Sequence, residues 1–172
     1  DDDQDKVGNQ GWNDLADFEI GQTVPYRYES NMPDVNGYNT YYYAWHDVMS
    51  EALTFKKDSV AIRIYESSNA RNYYELKEGE FEVKEAPGGG DTFQVIVSDM
   101  KKIIDREFNR KNEAGENKYG QKIVLTYQAT LNEKAAKNTG RPGFENDVRL
   151  EFSNDPDSAV RGSTGYTPWD TV

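Results

Sequence analysis

One carboxylate in this chain stands where a carboxylate is expensive. In the stretch Tyr41–Phe55 (YYYAWHDVMSEALTF), Tyr41, Tyr43, Trp45 and Asp47 share one parity, and Tyr42, Ala44 and His46 take the other. Aromatic residues at period two predict a β-strand with one buried face. Asp47 falls on that face, at the strand's end. An ionised and unpaired carboxylate there is costly. The pattern leaves four readings: Asp47 is protonated, paired with a cation, near the rim of the core, or the start of a turn before Met49-Ser50-Glu51. A carboxylic acid kept neutral by burial can polarise a carbonyl and relay a proton. That chemistry needs a buried lysine and a buried amide from elsewhere in the chain.

Other chemistries find little support. His46 is the single histidine, which leaves little room for a histidine-based triad or a multi-histidine metal site; it is expected to point outward beside Asp47. Cysteine is absent, so neither a disulfide nor a thiolate metal site can form. An extracellular protein of this kind must find its stability elsewhere. The glycines Gly88 to Gly90 lack the lysine and following helix of a phosphate loop. With 31 acidic residues against 20 basic ones, carboxylate pairs are too common to single out a glycosidase pair. The loop Asn154-Asp155-Pro156-Asp157 and the run Asp1 to Asp5 offer oxygens that suit calcium, without EF-hand spacing. No metal site is assigned and no cofactor is expected. A net charge of −11 disfavours nucleic acid and anionic membrane surfaces as partners. No apolar run is long enough to span a bilayer.

The elements that must position Asp47 are mostly strands. Thr23–Ser30 alternates Val24, Tyr26 and Tyr28 against polar residues, with Pro25 favouring an edge. Val60–Tyr65, Phe81–Val83 and Thr92–Val97 follow as further strands, with a glycine turn before the last. Ser98 opens one helix, as its cap, with Asp99 complementing the dipole and Met100, Ile103, Ile104 and Phe108 at helical spacing. Lys122–Leu131 (KIVLTYQATL) is the strongest strand, placing Ile123, Leu125, Tyr127, Ala129 and Leu131 on one face. Asn146–Asn154 (NDVRLEFSN) faces Val148, Leu150 and Phe152 inward. At 172 residues, short strands separated by turn signals predict one all-β domain, an immunoglobulin-like antiparallel β-sandwich with a short inserted helix. The abrupt ends, DDDQDK and TPWDTV, read as cuts from a longer multidomain polypeptide.

Five segments in order, ADFEIGQTVPYRYE, YYYAWHDVMSEALTF, KIVLTYQATLNEKA, NDVRLEFSNDP and TPWDTV, carry a resemblance. The chain resembles the isopeptide-forming middle domain of sortase-assembled major pilins, the fimbrial shaft proteins of Gram-positive bacteria. The resemblance implies a Cna-type sandwich across residues 1–172. It implies a self-catalysed bond between a lysine before the first strand and an asparagine near the last strands, assisted by a buried aspartate. It places the lysine at Lys6, the only basic residue before Arg27, and the acid at Asp47. Asn146 and Asn154 share a parity, so both can face the core. If the Tyr41 strand pairs with the Ile123 strand, Asp47 lies level with Asn154, which is the preferred partner; Asn146 is the alternative. A neutral lysine amine would attack the amide carbon, with Asp47 as the acid, and ammonia would leave.

The implied role is a structural module of a cell-surface pilus or fibrillar adhesin, extracellular and anchored to the cell wall. Its partners would be other pilin subunits, domains of the same polypeptide, or a host or glycan receptor, with no direct membrane contact. It would not be an enzyme toward an external substrate. The sorting signal and the lysine motif that joins shaft subunits are not found in this sequence. A second reading is a carbohydrate-binding β-sandwich whose stacking face uses Tyr38, Tyr41 to Tyr43, Trp12 and Trp169. A third is a glycosidase fragment.

Overall fold

The computed structural model describes residues 19–108, 110–137, 145–157 and 161–172. Ten strands and one α-helix follow in order: β1 (Thr23–Asn31), β2 (Tyr43–Met49), β3 (Leu53–Tyr65), β4 (Tyr73–Glu75), β5 (Glu82–Gly88), β6 (Asp91–Val97), α1 (Met100–Glu107), β7 (Lys122–Leu131), β8 (Asn146–Ser153), β9 (Thr164–Tyr166) and β10 (Asp170–Thr171). One sheet runs β1-β7-β3-β4. The other runs β10-β8-β2-β6-β5, with β9 also paired to β8. All strand pairs are antiparallel. The expected all-β immunoglobulin-like sandwich with one short helix is the observed architecture.

Period-two patterning builds the core. On β1, Val24, Tyr26 and Tyr28 are buried while Pro25, Arg27 and Glu29 are exposed. On β7, Ile123, Leu125, Tyr127, Ala129 and Leu131 face in, and on β8 Asn146, Val148 and Leu150 do. The apolar ones among them join Trp45, Phe93 and Val95 in one cluster between the two sheets. Strand β2 is central in its sheet, between β8 and β6, and Tyr43 through Asp47 are buried on both of its faces.

Two details depart from the expectations. The Tyr41 strand does not pair with the Ile123 strand. β2 and β7 lie in opposite sheets, with Asp47 opposite Phe93 of β6 and Val148 of β8. Periodicity tells which face is buried and not which strand lies beside it. The cap of α1 is Asp99 rather than Ser98. Its carboxylate accepts from Lys102 N at 3.2 Å and from Tyr41 N at 3.0 Å, so one side chain ends the helix and ties it to the entry of β2. Met100, Ile103 and Ile104 then close that end of the core. The tail from residue 161 supplies β9 and β10, which lengthen the sheet at its β8 side. The β5–β6 hairpin turns through Gly88, Gly89 and Gly90 at φ of 104°, 70° and 92°, a conformation glycine alone adopts cheaply.

Candidate functional site: an acid, a phenol and an amide in the dry core

Three side chains from three strands converge between the sheets. Asp47 points inward from β2. Asn146 opens β8, opposite Met49, and shares the inward face with Val148. Tyr127 crosses from β7 in the facing sheet. Its hydroxyl donates to Asp47 Oδ2 at 2.6 Å and accepts from Asn146 Nδ2. The exposures of Asp47, Tyr127 and Asn146 are 1%, 1% and 0%, so bulk water does not reach them.

Aromatic rings make the walls. Tyr26 stacks on Tyr127 with centroids 5.5 Å apart, and Phe93 meets Tyr127 edge-on at 5.1 Å. Phe55 lies flat on Phe93 at 3.7 Å. Such walls offer an ion little solvation. Burial accordingly pushes the Asp47 carboxyl up from its ordinary 3.8 to about 7, against hydrogen bonds from Tyr127 and Asn146 that favour the anion, with Asp147 and Asp91 adding to the rise. Burial, and then the neighbouring Asp47, hold the Tyr127 phenol well above its ordinary 10, so it stays neutral.

Two acceptors in this cluster have no donor. Among the described residues, five buried side-chain polar atoms lack a hydrogen-bond partner, and Asp47 Oδ1 and Asn146 Oδ1 are two of them. Each such atom costs about 1–3 kcal/mol if nothing reaches it. A neutral acid carries its own proton on one oxygen. The amide oxygen still calls for a donor, and the amide carbon beside it is the electrophile of the site.

Of the residues singled out in sequence, Asp47 and Asn146 come together, and Asn154 does not join them. Asn154 lies past the opposite end of β8, exposed, with its Oδ1 accepting from Ser163 Oγ at 2.6 Å. The geometric preference for Asn154 rested on the β2–β7 pairing, which is not the one formed; parity alone leaves Asn146 and Asn154 equivalent. Lys6 lies outside the described residues, and no lysine is among the buried residues described. Tyr127 was read from sequence only as a core ring. Its inward parity on the strongest strand was the available signal, and the opposing sheet supplies the partners that make it polar.

The outer face of β2 holds a second polar group. His46 is buried there rather than solvated, with Nδ1 2.6 Å from Asp91 Oδ2 and Nε2 2.8 Å from Glu151 Oε1. Both ring nitrogens face carboxylate oxygens. Glu151 also accepts from Arg161 and from Thr164 Oγ1 at 2.6 Å, which fastens β9 and the segment before it to β8. The rings assigned to a sugar platform are divided. Tyr41 and Tyr43 belong to the core cluster, while Trp169 is 40% exposed beside Arg149. Trp12 is outside the described residues. In the acidic loop, Asp155 Oδ1 accepts from Asp157 N at 3.2 Å, closing a turn; Asp1 to Asp5 are outside the described residues. Among the described residues no group of three or more histidine or acidic side chains is placed to hold a metal, and no helix is long and apolar enough to cross a membrane.

An antiparallel two-sheet sandwich with an acid and an amide buried at its centre defines a class, the Cna-type immunoglobulin-like domains of bacterial surface proteins. The family model for the Gram-positive pilin backbone subunit 2, Cna-B-like domain, matches residues 20–156, and the chain belongs to that family, which is structural rather than enzymatic. Among solved structures, the pilus backbone RrgB of Streptococcus pneumoniae is similar at a TM-score of 0.55 and 23% identity, over 81% of this chain and 44% of that one. Full-length RrgB is similar at 0.53 and 22%, over 81% of this chain and 19% of that one. The pilus 2b backbone protein of group B streptococcus is similar at 0.51 and 14%, over 90% of this chain and 54% of that one. These likenesses establish the fold, and the chain spans about half or less of each of those proteins. No curated protein matches the chain in sequence.

Proposed function

We propose that this chain is a load-bearing module of a cell-surface pilus or fibrillar adhesin, and that Lys6 Nζ becomes joined to the Asn146 side chain in a single self-catalysed reaction assisted by Asp47. The observation that carries the reading is the pair of unpartnered oxygens, Asp47 Oδ1 and Asn146 Oδ1, on an acid and an amide buried side by side. A lysine amine brought to that point supplies the missing donor and the nucleophile together. Burial keeps both amine and acid neutral, which the attack requires. The chain is long enough. Gly21 N donates to Leu131 O at 2.7 Å, so the polypeptide enters at the end of β7, roughly 13 Å along the strand from Tyr127. The stretch from Lys6 to Glu19 spans up to roughly 40 Å.

A bond between Lys6 and Asn146 would tie the segment before β1 to β8. Tension entering at the N-terminal side would then pass to the sheet holding β8 and β10 without loading the ladder between β1 and β7. That arrangement serves a shaft subunit outside the cell, whose partners are other pilin subunits or neighbouring domains of the same polypeptide. Two variants test the assignment by intact mass under denaturing conditions. Asn146→Ala should retain the full mass expected from its sequence, while Asn154→Ala should lose one ammonia like the wild type. The reverse pattern would move the bond to Asn154 and leave the buried pair without its role.

A further inference from the structure

We infer that Tyr127 is a catalytic residue of the cross-linking reaction, carrying a proton between Asp47 and the departing amide nitrogen of Asn146; the inference rests on the reading of Asn146 as the acceptor. The Tyr127 hydroxyl has one hydrogen and spends it on Asp47 Oδ2. Its lone pair takes a hydrogen from Asn146 Nδ2. Nδ2 is the atom that must leave as ammonia, so the hydroxyl touches a reacting atom.

These bonds sort the other atoms. In the neutral acid, the oxygen that accepts from Tyr127 is the carbonyl oxygen, which places the acid proton on Oδ1, the oxygen with no partner among the described residues. Asn146 is held by its nitrogen, so its oxygen stays free to be polarised. The amide plane is thereby fixed before an amine arrives, which is the orientation a near-attack geometry needs.

The step balances as follows. The lone pair of the neutral lysine amine forms a bond to Asn146 Cγ, and the carbonyl electrons move to Oδ1. As the carbonyl reforms, the Cγ–Nδ2 bond breaks. Nδ2 must gain one proton and the lysine nitrogen must lose one. The Asp47 carboxyl turns its protonated oxygen to the Tyr127 hydroxyl, which takes that proton as it rotates to give its own hydrogen to Nδ2. The Asp47 carboxylate then accepts the surplus proton of the lysine nitrogen. Acid and phenol end as they began, and the products are a secondary amide and ammonia. Tyr127 passes one hydrogen as it receives another, so no phenolate forms; burial and the adjacent Asp47 oppose the anion.

The test uses the full chain with a photocaged lysine at position 6, uncaged by light, with mass sampled over time. The wild-type background should lose one ammonia. Tyr127→Phe should melt cooperatively yet lose ammonia roughly 10²-fold or more slowly, the range for a positioned proton carrier. A structural role alone would not move the pH profile. The alkaline limb, set by Asp47 among Tyr127, Tyr26, Asp91 and Asp147, should shift to higher pH in Tyr127→Phe, because the bond favouring the carboxylate is gone. A measurement independent of the variant's folding is the wild-type rate in mixed H2O and D2O. Two protons moving through one hydroxyl give a curved dependence on deuterium fraction, and a straight line would overturn the relay. Equal rates for Tyr127→Phe and wild type would overturn the role of Tyr127 with the cross-link intact. A wild type that loses no ammonia after uncaging would overturn the cross-link itself.

Discussion

The protonation of Asp47 gives the most quantitative test of the dry-acid site. The background is Lys6→Ala, which cannot cross-link, compared with Lys6→Ala/Asp47→Asn. Asparagine keeps the shape and can still accept from Tyr127, but it does not titrate. Burial raises Asp47 from 3.8 to about 7 in the folded protein. Between those values the unfolded chain releases the proton and the folded chain keeps it, so stability falls as pH rises. Each unit is worth about 1.36 kcal/mol, giving about 4 kcal/mol across the interval and no further loss above it. That is a large share of the roughly 5–15 kcal/mol stability of a domain. Urea unfolding at steps from pH 4.5 to 8 measures it. Subtracting the Asp47→Asn series removes the many other carboxylates. The difference should turn against the Asp47 protein by most of that amount by pH 7 and then level off. A difference independent of pH would mean that Asp47 is ionised in an ordinary way, and the argument from burial would fail.

Three further outcomes follow from the same contacts. Closing a loop of roughly 140 residues is worth about 5 kcal/mol on a chain-entropy analogy with a disulfide. Lys6→Ala should therefore melt roughly 10–20 °C below wild type by calorimetry at one pH, and coincident curves would contradict the staple. Phe93→Ala removes a fully buried ring packed on Phe55 and Tyr127 and should cost about 3–5 kcal/mol in urea unfolding; a loss under about 1 kcal/mol would mean the wall around Asp47 is not the packed one described. Glu151→Gln weakens the charged bonds to His46, Arg161 and Thr164 on the outer face and should cost about 2 kcal/mol while leaving ammonia loss complete. An incomplete cross-link in that variant would show that the two faces of β2 are coupled.

Much of the fold was legible because burial in a sandwich writes itself at period two. The inward sets of β1, β7 and β8 appear in the sequence as they do in the core. The same rule placed Asp47 inside and admitted Asn146. It failed where the cause is non-local. Strand β2 is buried on both faces because side chains from outside it, Tyr166, Arg161, Asp91 and Glu151, reach across its outer face, so His46 sits between two carboxylates rather than in solvent. The choice between Asn146 and Asn154 turned on which strand is the neighbour of β2, a fact held in pairing and not in pattern. Strands β4, β9 and β10 are too short for periodicity to register. Tyr127 shows the limit most clearly, since its hydroxyl gains meaning only from two residues of the opposite sheet.

Intact mass tests the Lys6–Asn146 bond most directly. Wild-type protein, purified folded and then denatured, should weigh one ammonia less than its sequence, and digestion should release a single branched peptide containing both Lys6 and Asn146. A full-sequence mass, with Lys6 and Asn146 recovered in separate linear peptides, would contradict the central claim.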